Sequence, residues 1–264
     1  MFKVVIPARY ASTRLPGKPL RTLAGRPMLQ WVYEQACAAQ AEEVWIATDD
    51  ERIAERARAF GAAGEVRVAL TSSAHASGTD RVAQLARERG WDERQIVVNV
   101  QGDEPLLPPQ LIRQAAQLLE RYPQAELATL ATPVASLAEF LDPNVVKVVS
   151  DAHQRVLYFS RAPIPAIRDG AEQAHGRWQG ARRHVGLYAY RAGALQRMAA
   201  LPVSPLEDAE KLEQLRALEA GFEIRIADAE IPPGPDVNTE ADVERVTALL
   251  VESRLAVPAV LRGA

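Results

Sequence analysis

Cysteine occurs once in the 264 residues, at Cys37. A single thiol closes no internal disulfide and builds no cysteine zinc site. Cys37 reads as a small buried residue in the run 30–40, and the chain suits a reducing compartment. Histidine is scarce as well: His75, His153, His175 and His184 are scattered, with no HExxH and no paired spacing, so a histidine zinc site is not expected. No apolar run approaches the roughly 20 residues that span a bilayer. Residues 1–10 hold no apolar stretch of signal-peptide length, so a soluble, cytoplasmic protein is expected. Basic charge is not in excess either, with 31 Lys+Arg against 34 Asp+Glu and a net charge of −3. A general nucleic-acid binder needs a basic surface for the phosphate backbone, whereas a small anionic ligand needs only a local basic cluster. Repeats and low-complexity tracts are absent.

What is present is an alternation. Residues 2–8, 44–48, 66–70 and 96–100 are short runs of strand character. Between and after them, 27–40, 50–60, 79–89 and 108–121 have the spacing of amphipathic helices, with Gly61 and Gly90 as stops and Pro108 as an opener. Strands separated by helices of this length predict βαβ units and a parallel, doubly wound sheet. After about residue 125 the rhythm changes. Segments 127–134, 145–150, 156–160, 184–190 and 222–227 read as strands, and only 204–220 and 240–254 as helices, so antiparallel pieces are added to the sheet. The stretch 161–183 reads as a long loop, and 256–264 as a weakly specified tail. The expected division is a nucleotide half over 1–125 and a second half of the same domain over 126–255.

Open α/β sheets bind ligands at the carboxyl ends of their strands. After the first strand come Arg9, Arg14 and Lys18, three cations within ten residues, with Ser12, Thr13 and Gly17 among them. Such a loop can wrap a polyphosphate. It is not a Walker A loop, because Lys18 is followed by Pro19 and the upstream glycine is missing. After the second strand, Asp49 and Asp50 suit either a ligand or a helix cap. The run Ser77-Gly78-Thr79-Asp80-Arg81 opens a helix, where Ser77 or Thr79 can cap it, Gly78 can admit a flat ligand and Arg81 can reach an anion. The sharpest segment is Val98-Asn99-Val100-Gln101-Gly102-Asp103-Glu104-Pro105. It delivers carboxylates at a strand end, where Mg²⁺ can take hard oxygen ligands and bridge to phosphates. Cations for phosphate beside a carboxylate for metal indicate nucleoside-triphosphate chemistry without a P-loop. Before the last helix, Asn238 or Thr239 reads as an N-cap.

The run Ile6-Pro-Ala-Arg-Tyr-Ala-Ser-Thr-Arg-Leu-Pro-Gly-Lys-Pro-Leu20 resembles the signature of the 3-deoxy-D-manno-octulosonate (Kdo) cytidylyltransferases, the CMP-Kdo synthetase family. So do Ala47-Thr-Asp49, Ser77-Gly-Thr-Asp-Arg81, Val98-Asn-Val-Gln-Gly-Asp-Glu-Pro105, Tyr158-Phe-Ser-Arg161, His184-Val-Gly-Leu-Tyr188 and Leu212-Glu-Gln-Leu-Arg216, in family order from about residue 3 to 247. The resemblance implies an α/β fold like the nucleotide-diphospho-sugar transferases, with a strand-rich part for sugar and dimer contacts. It implies the reaction CTP + Kdo → CMP-Kdo + diphosphate, for lipopolysaccharide, by a cytoplasmic Mg²⁺-dependent homodimer. By matching position, Arg9, Arg14 and Lys18 would hold the triphosphate. Ser77, Gly78 and Gln101 would contact cytidine. Asp103 would hold Mg²⁺, while Arg81, Arg161, His184, Tyr188, Glu213 and Gln214 would serve the sugar. Arg9, Lys18 and Asp103 would act on the reaction itself. The family's Val-Asp-Thr before the last helix reads Val237-Asn238-Thr239 here. Asn238 therefore brings a neutral oxygen to the second metal position, and Asp236 stands two residues earlier. Another acidic sugar (8-amino-Kdo or a sialic acid) and a non-catalytic sugar-nucleotide-binding protein remain as alternative readings.

Overall fold

In the computed structural model, which describes residues 1–11, 15–61, 66–168 and 177–256, β1 (Phe2–Ala8) lies inside the sheet and is buried from its second residue onward. Its apolar, β-branched composition suits a strand covered on both faces. A two-stranded ribbon, β2 (Thr22–Leu23) with β3 (Arg26–Pro27), leads into α1 (Met28–Ala38). Then follow β4 (Glu43–Thr48), α2 (Glu51–Arg58), β5 (Arg67–Leu70), α3 (Gly78–Glu88), β6 (Ile96–Asn99) and α4 (Pro109–Arg121). Strands β6, β1, β4 and β5 pair side by side, all parallel, which is the expected βαβ half.

The second half extends the same sheet. After β7 (Leu127–Pro133) and α5 (Leu137–Leu141) come the hairpin strands β8 (Lys147–Ser150) and β9 (Val156–Ser160), then β10 (Arg182–Arg191). Strand β10 runs antiparallel between β6 and β7. The chain continues through α6 (Ala192–Ala200), α7 (Pro205–Glu210), α8 (Gln214–Glu219), β11 (Ile224–Asp228), parallel to β7, and α9 (Glu240–Ala256). The sheet order is β11-β7-β10-β6-β1-β4-β5, with the β8–β9 hairpin attached at the start of β10. One sheet thus crosses the boundary near residue 125. The last helix crosses back: Val246 and Leu250 pack with Leu15, Leu23, Met28 and Trp31 of the first half, and Glu240 pairs with Arg21. The tail beyond 256 and residues 169–176 of the long loop lie outside the described residues.

Three expectations are corrected. The single helix over 204–220 is two, because Lys211 adopts a left-handed conformation (φ 52°, ψ 45°) that no helix continues through. The Ser204–Glu207 capping box starts the first, and the second begins at Gln214. Helix α6 carries no Ser, Thr, Asp or Asn cap and has Gly193 in its first turn, so it lacks a start signal, yet Ala194, Leu195 and Met198 are buried. Cys37 is exposed. The packed face of α1 is formed by Leu29, Trp31, Val32 and Ala36, and one further residue turns the side chain about 100° away.

Candidate active site

Two cavities open at the carboxyl ends of the central strands. The larger, about 580 Å³, is lined by Arg9, Ala11, Lys18, His75, Ser77, Gly78, Arg81, Gln101, Asp103 and Asn238, among others. Its walls need glycine at two places. A Cβ on Gly102 would stand 3.0 Å from the Pro7 carbonyl oxygen, and one on Gly78 would stand 3.2 Å from the Pro7 ring. The ends of β1 and β6 and the start of α3 approach so closely only because neither position carries a side chain. Ser77 is the N-cap of α3, in a capping box with Asp80, so this cavity has a helix N-terminus at its wall.

Lys18 reaches across the cavity floor. Its ammonium donates to Asp103 Oδ2 at 2.6 Å and to Asn238 Oδ1 at 3.0 Å. Only 13% of the Lys18 side chain is exposed. Asn238 Nδ2 donates to Asp236 Oδ2, and Val237 N–H donates to the Asp103 carbonyl at 2.9 Å. The last loop is thereby fixed against the β6 loop. Thr239, not Asn238, caps α9 through its exchange with Asp242, leaving the Asn238 carboxamide directed at Lys18.

Mg²⁺ fits this corner. The seat of the Lys18 ammonium shows two hard oxygens, Asp103 Oδ2 and Asn238 Oδ1, already converging on one positive charge, with the Asp236 carboxylate beside them. Among the described residues no cluster of three or more His, Cys, Asp and Glu side chains is gathered to hold a metal. Protein ligands this few suit an ion that keeps waters and takes phosphate oxygens. Next to Asp103, Glu104 is half-buried, and its Oε2 is buried without a partner among the described residues. Burial, then the charges of Asp103 and Asp236, push its pKa up to about 8.

The second cavity, about 250 Å³, is lined by Thr79, Asn99, Gln101, His184, Gly186, Tyr188, Glu213 and Gln214, with Val146, Tyr190, Met198 and Leu212. Gln101 belongs to both cavities. A register shift in β10 between Val185 and Tyr188 bends the strand here. Buried Thr129 stands behind the bend, its Oγ1 within bonding distance of the Val185 and Leu187 carbonyls and 3.0 Å from His184 Nε2. Carbonyls only accept, so the Thr129 proton goes to one of them and His184 Nε2–H donates to Thr129. Nδ1 is then left as an acceptor. Burial, aided by the Arg183 charge, holds the imidazole pKa down to about 3, so the ring is neutral. Glu213 accepts from Thr79 Oγ1 at 2.8 Å. Burial raises its pKa, opposed by hydrogen bonds from Thr79 and Ser77.

The structure therefore gathers Arg9, Lys18, Ser77, Gly78, Gln101, Asp103 and Asn238 at one cavity and His184, Tyr188, Glu213 and Gln214 at the adjoining one. Two sugar candidates lie elsewhere. Arg81 lines the larger cavity, its guanidinium held by Asp49 at 2.9 Å, Thr71 and the Ser72 carbonyl. Arg161 is tied to the backbone carbonyls of Glu210 and Pro143 at the end of β9, and is absent from the lining of either cavity. In both cases acceptors within the protein already engage the guanidinium. Arg14 lies outside the described residues. Sequence reasoning missed His75, Asn99 and Thr79 as lining groups. The one signal for Asn99 was a carboxamide at the end of an otherwise apolar buried strand.

Comparison with known proteins decides what this pair of cavities belongs to. A family described as Cytidylyltransferase matches residues 3–226. This chain belongs to that family. The 3-deoxy-manno-octulosonate cytidylyltransferase of Thioalkalivibrio sulfidiphilus is 56% identical over 250 residues, covering 94% of this chain and 98% of the relative. The protein of the same name from Xanthomonas campestris pv. campestris is 55% identical over 258 residues, covering 95% and 100%. A solved structure of CMP:2-keto-3-deoxy-manno-octonic acid synthetase complexed with CTP superposes with a TM-score of 0.86 at 43% identity. It covers 96% of this chain and 100% of its own. The chain is thus a nucleotidyltransferase with the cytidylyltransferase fold. No helix among the described residues is long and apolar enough to cross a membrane.

Proposed function

We propose that this cytidylyltransferase catalyses CTP + Kdo → CMP-Kdo + diphosphate, supplying activated Kdo for lipopolysaccharide in the cytoplasm. The observation that carries the reading is the meeting of two cavities at Gln101. One is edged by Arg9, Lys18 and a helix N-terminus, the other by hydrogen-bonding side chains suited to a polyhydroxylated sugar. The larger receives the nucleotide. Arg9 and Lys18 take the triphosphate charge, which the Ser77 end of α3 also favours. Ser77, Gly78 and Gln101 border the place of the base. The smaller receives the sugar, whose hydroxyls meet His184 Nδ1, Tyr188 OH, Glu213 and Gln214.

The anomeric 2-hydroxyl oxygen attacks the α-phosphorus, a new P–O bond forms as the hydroxyl loses its proton to solvent or the departing diphosphate, and diphosphate leaves with the electron pair of the broken P–O bond. The protein holds the two substrates in line and surrounds the transferring group with fixed positive charge. Asp103, Asp236 and Asn238 would hold Mg²⁺, which when bound neutralises phosphate charge and orients the triphosphate. Lys18 is freed from Asp103 and Asn238 as phosphate oxygens compete for its ammonium.

The working unit is a homodimer. Among the described residues strand β9 pairs only with β8, and Leu157 on it is 55% exposed. An unpaired edge carrying an exposed leucine suits burial against a second copy. The function is tested by comparing CTP, UTP, ATP and GTP at equal concentration with Kdo, reading diphosphate release. CTP should be strongly preferred, because buried polar groups reject a mismatched base edge. Equal turnover with ATP would contradict the assignment of Ser77, Gly78 and Gln101 to the base.

A further inference from the structure

The smaller cavity holds two buried polar atoms that have no partner among the described residues, Asn99 Oδ1 and Tyr188 OH. Asn99 is 2% exposed and ends β6, whose other residues, Ile96, Val97 and Val98, are all buried and apolar. A carboxamide there is costly unless it finds a partner. Asn99 and Tyr188 are directly opposed in the β6–β10 ladder, so their side chains rise on the same face of the sheet. One is an acceptor and the other a hydroxyl, in register, both in the wall of one cavity. A sugar hydroxyl carries one proton and two lone pairs. A single such group can donate to Asn99 Oδ1 and accept from Tyr188 OH, ending both deficits at once.

We infer that Asn99 is a specificity-determining residue that reads one hydroxyl of the acceptor sugar through Oδ1, paired with Tyr188. This role rests on the smaller cavity being the sugar site. Its consequence is selective. A sugar lacking that hydroxyl leaves two buried polar groups unpaired, and sites built to bond a hydroxyl reject such analogues by large factors.

The test measures kcat/KM at saturating CTP for Kdo and for its 4-, 5-, 7- and 8-deoxy analogues, with the wild type, Asn99→Leu and Asn99→Asp. The wild type should disfavour one analogue by about 10²-fold or more. Asn99→Leu matches the shape without the acceptor. It should lose about ten- to a hundredfold on Kdo and far less on that one analogue, so the ratio between the two sugars collapses toward one while KM for CTP stays within about twofold. Asn99→Asp keeps an acceptor oxygen and should hold the ratio. Both sugars are read on the same preparation, so a partly unfolded variant does not move the ratio. Asn99→Ala is read in the same way if the leucine variant is insoluble. An active wild type whose ratio is unchanged in Asn99→Leu overturns the role of Asn99 alone. A wild type that makes no CMP-sugar from Kdo overturns the sugar reading of the cavity, and this role with it.

Discussion

Lys18, Asp103 and Asn238 meet across 85 and 220 residues of chain to form one charge-compensated corner. A carboxylate at position 238 would add a metal-facing charge, and ligand charge tunes affinity for hard cations. Asn238→Asp should therefore lower the Mg²⁺ concentration for half-maximal diphosphate release. If Asp236 already fills the role, that change does little and Asp236→Ala abolishes turnover. Lys18→Ala should cost about 10²-fold or more in turnover, the scale of one preorganised charge stabiliser. A loss under about threefold with unchanged circular dichroism would remove Lys18 from phosphate binding. His184 gives a pH signature. It is neutral and half-buried, with its pKa near 3 against 6.5 for the free side chain. The unfolded chain gains a proton below pH 6.5 that the fold refuses, so this contribution is intact above pH 6.5 and lost as pH falls toward 3. Its slope approaches about 1.4 kcal/mol per pH unit. Denaturant titrations at pH 7, 5.5 and 4.5 should show that slope in the wild type and a shallower one in His184→Gln.

At the scale of elements, the paired ends of strand and helix were readable wherever local chemistry decided them. The boundaries of β1 and the Ser77 cap of α3 follow from β-branched runs and capping residues. The break at Lys211 did not, because the sequence there keeps helical spacing. Its cause is tertiary: Glu210 turns back to accept from Tyr158 OH at 3.0 Å, Ser160 Oγ and the Arg161 N–H, while Glu213 beyond the break bonds Thr79. One continuous helix would hold these carboxylates on the same face, about 60° apart, and here each meets a different neighbour. Glu210→Ala should leave Ser160 and the Arg161 N–H without this acceptor and destabilise the fold by roughly 1–3 kcal/mol, seen as a lower urea midpoint. Because α8 starts just beyond, KM for Kdo should also rise. An unchanged midpoint would mean that solvent replaces Glu210.

For the whole molecule, the alternation of strands and helices made the parallel half legible and left the return of α9 to the first half invisible, since that contact joins Leu15 and Trp31 to Val246 and Leu250. Most of the nucleotide cavity was readable because it hangs on strand ends. The tethering of Arg81 and Arg161 was not legible because the carbonyls and the carboxylate that engage them come from other segments. The β9 edge and Leu157 imply that light scattering at micromolar concentration should give a dimer, and a monomer would contradict that arrangement. The central claim is that sugar oxygen attacks the α-phosphorus of CTP between the two cavities. ³¹P NMR of the enzyme with Mg²⁺, CTP and Kdo tests it most directly. The expected result is a CMP diester and diphosphate appearing in equal amounts, only when Kdo is present. CDP with orthophosphate, or diphosphate released without Kdo, would contradict it.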